Sequence, residues 1–116
     1  MTNKVSLFSN QDATQLNVIG TAVDIDTRFH SLYAELITSA DFMLNEFNIH
    51  LQIAPNINFP GNWSDYYLIT PPNTNGMLVT YTNLGILNLL PAIRGVINSG
   101  GAGASAGKVS LNLYID

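Results

Sequence analysis

The sequence predicts an α+β domain: a largely antiparallel sheet of about five strands, with a long amphipathic helix over residues 22–47 and a shorter one over 86–98 packed on it. Three observations lead there. Apolar residues recur at spacings of three and four across 22–47, two segments alternate strictly between apolar and polar, and an Asn-Gly pair separates two runs rich in aromatic and β-branched residues. With 116 residues and no cysteine, the chain reads as a single domain, 1–116, long enough to bury a core without cross-links.

Taken in order, KVSLFS at 4–9 is a short strand, and TQLNVIG at 14–20 fits neither period clearly. The long helix rests on Ala22, Ile25, Phe29, Leu32, Leu36, Ala40, Met43 and Phe47, widened by Tyr33, Ile37 and Leu44. Thr21 suits its N-cap, Asp24 and Asp26 favour the positive end of its dipole, and Asn48 suits its C-terminus. Such a helix extends ~39 Å, so its apolar face outreaches the cover available from a small domain. IHLQIA at 49–54 and VSLNLYID at 109–116 are half-buried strands by alternation. The runs at 66–70 and 77–82 flank PPNTNG, whose prolines and Asn-Gly fit a hairpin connection. In LGILNLLPAIRGVIN, Ile86, Leu90, Ile93 and Ile97 are helically spaced, with Pro91 marking a kink or a start.

GGAGASAGK at 100–108 contains Gly101-x-Gly103-x-x-Ala106 and ends in Gly107-Lys108, so it invites comparison with phosphate-binding loops. Those loops run from a strand into a helix whose free amides and dipole converge on the anion. Here the helix-like segment precedes and a strand follows. Ala102 also stands where a P-loop needs glycine, and Val109 where it needs Ser or Thr. The expectation is therefore a flexible connector of small residues, with no cofactor.

Only 10% of residues are charged, and the formal net charge is −4. A freely soluble domain usually carries roughly 25–35% charged residues on its surface; here fourteen asparagines with many Ser and Thr take that place. Four cationic residues against eight acidic ones exclude nucleic-acid binding by counterion release. The first twenty residues lack the basic start and apolar core of an export signal, and no apolar run is long enough to insert into a membrane, so a soluble chain is expected.

Asp24, Asp26, Arg28, His30 and Glu35 crowd into twelve residues, and His50 follows on a strand. Carboxylates with imidazoles offer metal or acid-base chemistry. On one helix, however, Asp26 and His30 stand a turn apart while Asp24 points away from Asp26, so the full set cannot converge; helix-start acids and a surface pair account for it, and no metal site is expected. The aromatic loop PNINFPGNWSDYY is the stronger candidate, through Phe59, Asn62, Trp63, Asp65, Tyr66 and Tyr67. Stiff aromatic faces interleaved with amides and a carboxylate suit either a subunit contact or a small ligand such as a sugar. No motif names a family, and no nucleophile has a catalytic setting: there is no G-x-S-x-G, H-E-x-x-H or cysteine. Sparse charge, the apolar helix face and the aromatic loop together predict a non-catalytic, self-associating assembly subunit, of the kind that serves as connector, terminator or decoration protein in a virus or phage-type particle. The alternative is a carbohydrate or small-ligand binding module at the 59–67 loop.

Overall fold

The strands are divided between two facing sheets. A computed structural model describes residues 3–25, 31–71, 75–86, 92–101 and 103–115, and its elements are β1 (Asn3–Asp12), β2 (Val18–Ile19), β3 (Val23–Asp24), β4 (Ser31–Thr38), β5 (Ile49–Ala54), β6 (Ser64–Ile69), β7 (Leu78–Ile86), β8 (Ala92–Ile97) and β9 (Lys108–Ile115). Sheet A has the order β1-β9-β4-β7, and sheet B the order β2-β8-β5-β6, with β3 also pairing β8. All pairings are antiparallel.

The pairing is nested. β5 pairs β6, β4 pairs β7, β2 and β3 pair β8, and β1 pairs β9, as in one long hairpin whose tip is β5–β6. Rolling that hairpin around a core places alternate pairs in opposite sheets, and β4–β9 and β5–β8 then join across the roll. This is the jelly-roll arrangement of an eight-strand sandwich, with β2 and β3 as one edge strand interrupted at Gly20. Within that interruption the Gly20 amide still donates to the Gly95 carbonyl at 2.9 Å.

The α+β expectation is overturned: the described residues contain no helix, and two antiparallel sheets replace the single sheet of about five strands. The stretch predicted as helix 22–47 holds β3, β4 and a loop; residues 26–30, with Asp26, Arg28 and His30, lie outside the described residues. The reason is visible in β4. Leu32, Ala34, Leu36 and Thr38 are buried, while Tyr33 and Ile37 face outward. Leu32 and Leu36 are four residues apart, a spacing that satisfies both a helical face and a strand face.

The predicted helix at 86–98 is replaced in the same way: β7 ends at Ile86, residues 87–91 lie outside the described residues, and Ala92–Ile97 is strand β8. β8 is central, flanked by β5 and by β2 and β3, and is buried along nearly its whole length, so its apolar run lost the alternation that marks a half-exposed strand. Gly95, in the middle of β8, is needed for packing. A Cβ there would lie 2.6 Å from the Phe8 ring, which crosses from sheet A to fill the space under β8 and Gly20.

The strands expected at 4–9, 49–54, 66–70, 77–82 and 109–116 all exist, 49–54 with the expected ends and the others with shifted ones. The hairpin expected across PPNTNG does not: β6 and β7 lie in different sheets, and Gly76 at φ +87° turns the chain between them. Inward side chains from both sheets, among them Leu32, Leu36, Ile49, Leu51, Ile93, Leu111 and Leu113, make one core. The slab measures 37 × 32 × 19 Å. No helix among the described residues is long and apolar enough to cross a membrane.

The glycine-rich segment connects β8 to β9, and it is held on both sides within the chain. Ala104 N donates to Ala13 O at 3.0 Å and Ala13 N to Gly107 O at 3.0 Å. On the other side Met43 N donates to Ala106 O at 3.0 Å, Ser105 N to Met43 O at 2.9 Å and Glu46 N to Gly103 O at 3.2 Å. The expected flexible connector is thus threaded between two other loops like a short strand. Gly100, Gly103 and Gly107 take positive φ, and at Gly107 a Cβ would meet Phe42 Cα at 2.4 Å.

Candidate functional site: two solvent-facing sheet surfaces

The aromatic loop runs along the outer side of sheet B, where its groups are largely committed to one another. The Arg94 guanidinium lies 4.4 Å over the Trp63 ring. Arg94 Nε donates to Gln52 Oε1 at 2.9 Å, and Gln52 Nε2 donates to Asp65 Oδ1 at 3.0 Å. Cross-strand pairing of Gln52 with both Arg94 and Asp65 puts the three on one row, because directly opposite residues share a face. Trp63 Nε1 donates to the Phe59 carbonyl at 3.3 Å, and the Phe59 ring packs over Gly61, where a Cβ would come within 2.7 Å.

Tyr66 leaves this group. A register shift in β6 falls between the partners of Leu51 and Gln52, and the Tyr66 hydroxyl donates to the Leu84 carbonyl of β7 at 3.0 Å, tying sheet B to sheet A. Burial pushes its hydroxyl pKa up. Tyr67, with its ring 6.4 Å from that of Tyr66, is 40% exposed, and Asn62 is exposed. Of the six predicted residues, Phe59, Trp63 and Asp65 therefore join one network with Arg94 and Gln52. Tyr66 acts as a clasp, and Asn62 and Tyr67 stay open to solvent.

Of the ionisable residues noted between 24 and 35, Asp26, Arg28 and His30 lie outside the described residues, and the rest are dispersed. Asp24 sits on β3 opposite Ala92, Glu35 on the outer face of β4, and His50 on the outer face of β5 between Leu68 and Val96. Among the described residues no three His, Cys, Asp or Glu side chains gather to hold a metal ion.

The surface that sequence reasoning missed is the outer face of sheet A. Pairing lays out its rows: Lys4, Tyr114, Tyr33 and Asn83; then Ser6, Asn112, Glu35 and Tyr81; then Ser110, Ile37 and Val79. At its centre Glu35 is only 6% exposed, although it lies on the solvent side of the sheet. Its Oε1 accepts from Asn112 Nδ2 at 2.9 Å and from the Tyr114 hydroxyl at 3.2 Å, and the Tyr81 hydroxyl donates to the same carboxylate. Tyrosine side chains thus lean over the acid and seal it.

The Asn112 bond, with the Tyr81 and Tyr114 hydroxyls and the nearby Lys4 charge, holds the Glu35 pKa below its usual value against the opposing effect of burial. The phenols respond reciprocally. Tyr81 is raised chiefly by its bond to Glu35, and Tyr114 chiefly by burial and then by the Glu35 charge. Above this anchored layer Tyr81 is 64%, Val79 44% and Tyr33 36% exposed. Period-two reading of SLYAELIT would have found Tyr33 and Glu35 on one face, but the helical spacing masked it.

No protein-family model matches this chain, and none of the curated proteins matches it in sequence.

Proposed function

We propose that this chain is a non-catalytic, self-associating jelly-roll subunit of a larger protein assembly, with a virus or phage-type particle as its setting. The observation that carries the reading is that, among the described residues of a chain with 10% charged residues, ten large hydrophobic side chains stand exposed, from Leu16 and Ile19 to Met77 and Tyr81. Isolated exposed apolar residues are ordinary, but rows of them on a sheet face mark a surface that another protein covers. The jelly roll serves capsid and lectin domains alike, so its contribution to the setting is analogy. Sedimentation velocity and light scattering of the purified chain at ~10–100 μM test the reading: a defined oligomer or larger closed particle is expected, and a monomer throughout that range refutes it.

The carbohydrate reading keeps one supporting observation, the row Arg94–Gln52–Asp65 beside Trp63 and the exposed Tyr67, which mixes donors, acceptors and aromatic faces. It ranks second because one face of Trp63 is covered by Arg94 and the Tyr66 hydroxyl is engaged by Leu84. Sugar-dependent Trp63 fluorescence in a chain that stays monomeric would reverse the ranking.

A further inference from the structure

We infer that Asn75–Gly76, the single Asn-Gly pair of the chain, is a modification site that the fold keeps shut: spontaneous loss of the Asn75 amide is held back by hydrogen bonds to the β4–β5 connection and is released when that clasp opens. The protection does not depend on the self-association proposed above.

The reaction needs no enzyme and takes water as its only co-reactant. The Gly76 amide nitrogen gives up its proton and attacks Asn75 Cγ; a C–N bond forms, the Cγ–Nδ2 bond breaks, and ammonia leaves with the proton. Water then opens the five-membered imide at one of its two carbonyls, giving aspartate or isoaspartate. Glycine permits this, because it has no Cβ to crowd the attacking nitrogen and its backbone turns freely. By sequence alone, 75–76 is therefore the most labile peptide unit in the chain.

The structure withholds both reactants. The Gly76 N–H, whose proton has to leave, donates to the Phe42 carbonyl at 2.8 Å. The Asn75 side chain is held as well, its Oδ1 accepting from Leu44 N at 2.8 Å. Ring closure has to draw Cγ to bonding distance of the Gly76 nitrogen, a movement the Leu44 bond resists. Thr38, 3% exposed at the end of β4, staples the residues that follow: its hydroxyl donates to Gly76 O at 2.7 Å and accepts from Leu78 N at 2.9 Å. Asn75 itself is exposed, so water is at hand and the hydrogen bonds, rather than burial, oppose the reaction.

Conversion in the folded chain thus proceeds through the fraction of molecules whose clasp is open, as with any local opening. Isoaspartate adds one carbon to the main chain ahead of the Gly76 nitrogen, displacing Gly76 from Phe42 and Thr38. Aspartate keeps an oxygen for Leu44 but adds a negative charge to a chain already at −4. Either product records the opening irreversibly.

The experiment incubates the full chain in mildly alkaline buffer, folded and in guanidinium, and follows the peptide carrying 75–76 by mass spectrometry. Conversion is expected to be at least about tenfold slower in the folded chain; equal or faster conversion there overturns the inference. Thr38→Val, which removes the hydroxyl and keeps the volume, should speed conversion of the folded chain at least about threefold. Thr38→Ser, which keeps the hydroxyl, and Gly100→Ala, a change in the distant β8–β9 loop, should stay near the wild-type rate. A Thr38→Val rate equal to wild type, or a Gly100→Ala rate raised as much as that of Thr38→Val, refutes the clasp as the source of protection. Should Thr38→Val fail to fold, hydrogen exchange at the Gly76 amide of the wild type decides: its protection should match the slowing of conversion, and an unprotected amide refutes the clasp.

Discussion

Asn98 Nδ2 donates to the Ala13 carbonyl at 2.8 Å, joining the end of β8 to a loop 85 residues earlier in the chain. The same amide donates to Gln15 O at 2.7 Å, Asn98 Oδ1 accepts from Asn48 N at 3.3 Å, and the Asn98 backbone bonds Asn48 O and Asn17 N. Asn98 is fully buried with φ +54°, a left-handed conformation that asparagine tolerates better than most residues. Asn98→Ala is expected to cost about 2–4 kcal/mol, from stranded carbonyls plus backbone strain. Asn98→Gly, which removes the strain, should cost about 1 kcal/mol less. Urea midpoints of the two variants separate the contributions.

The glycines of the β8–β9 loop differ in what surrounds them. At Gly107, φ +104° and the Phe42 backbone leave no room for a methyl group, whereas at Gly100, φ +73°, nothing lies within 4 Å. Gly107→Ala is expected to cost about 3 kcal/mol or more, through combined strain and overpacking. Gly100→Ala should cost only about 1 kcal/mol, from conformation alone. Thermal unfolding of both checks this, and equal costs would show the loop to be as loose as its composition suggests.

Glu35 makes stability depend on pH. Its pKa is lowered in the folded chain from a reference of 4.5, so its ionised form stabilises the fold fully above that reference. The contribution is lost as pH falls through the lower, folded value. Asp12, lowered by its Thr14 side-chain and backbone bonds, acts in the same direction. Denaturant midpoints should be level from pH 7 to about 5 and decline below it. Glu35→Gln should start lower at pH 7 and decline less steeply, since only the Asp12 share remains. An unchanged slope would detach the acid from the fold's stability.

Trp63 is the one tryptophan of the chain, so its emission reports directly on Arg94, 4.4 Å from its ring. Arg94→Ala should shift the emission to the red as water reaches the ring and should cost about 0.5–1 kcal/mol. Arg94→Lys should fall between, because an ammonium lacks the planar face that stacks on indole. Spectra that coincide with wild type in both variants would mean the stacking is not maintained in solution.

Tyr66 carries a smaller prediction. Removing its hydroxyl in Tyr66→Phe leaves the Leu84 carbonyl without that donor and should cost about 1 kcal/mol. Local opening of β6, read by amide exchange at Leu68 and Ile69, should rise with it.

By itself the sequence determined the strands that alternate, at 49–54 and 109–116, because one face of each is buried and the other is not, so period two is written into their residues. It also determined the sparse charge and the aromatic character of 59–67. Only the tertiary structure decided the rest. Leu32 and Leu36 satisfy a helix and a strand equally, and β8 is buried along nearly its whole length with Arg94 its one charged residue, so local pattern had no means of choosing. Nor does pattern contain the pairing of β4 with β7 and β9, which brings Glu35 under Tyr81 and Tyr114 from 46 and 79 positions along the chain. Long-range pairing made a tyrosine-covered face from residues that, read in a line, belonged to three unrelated segments.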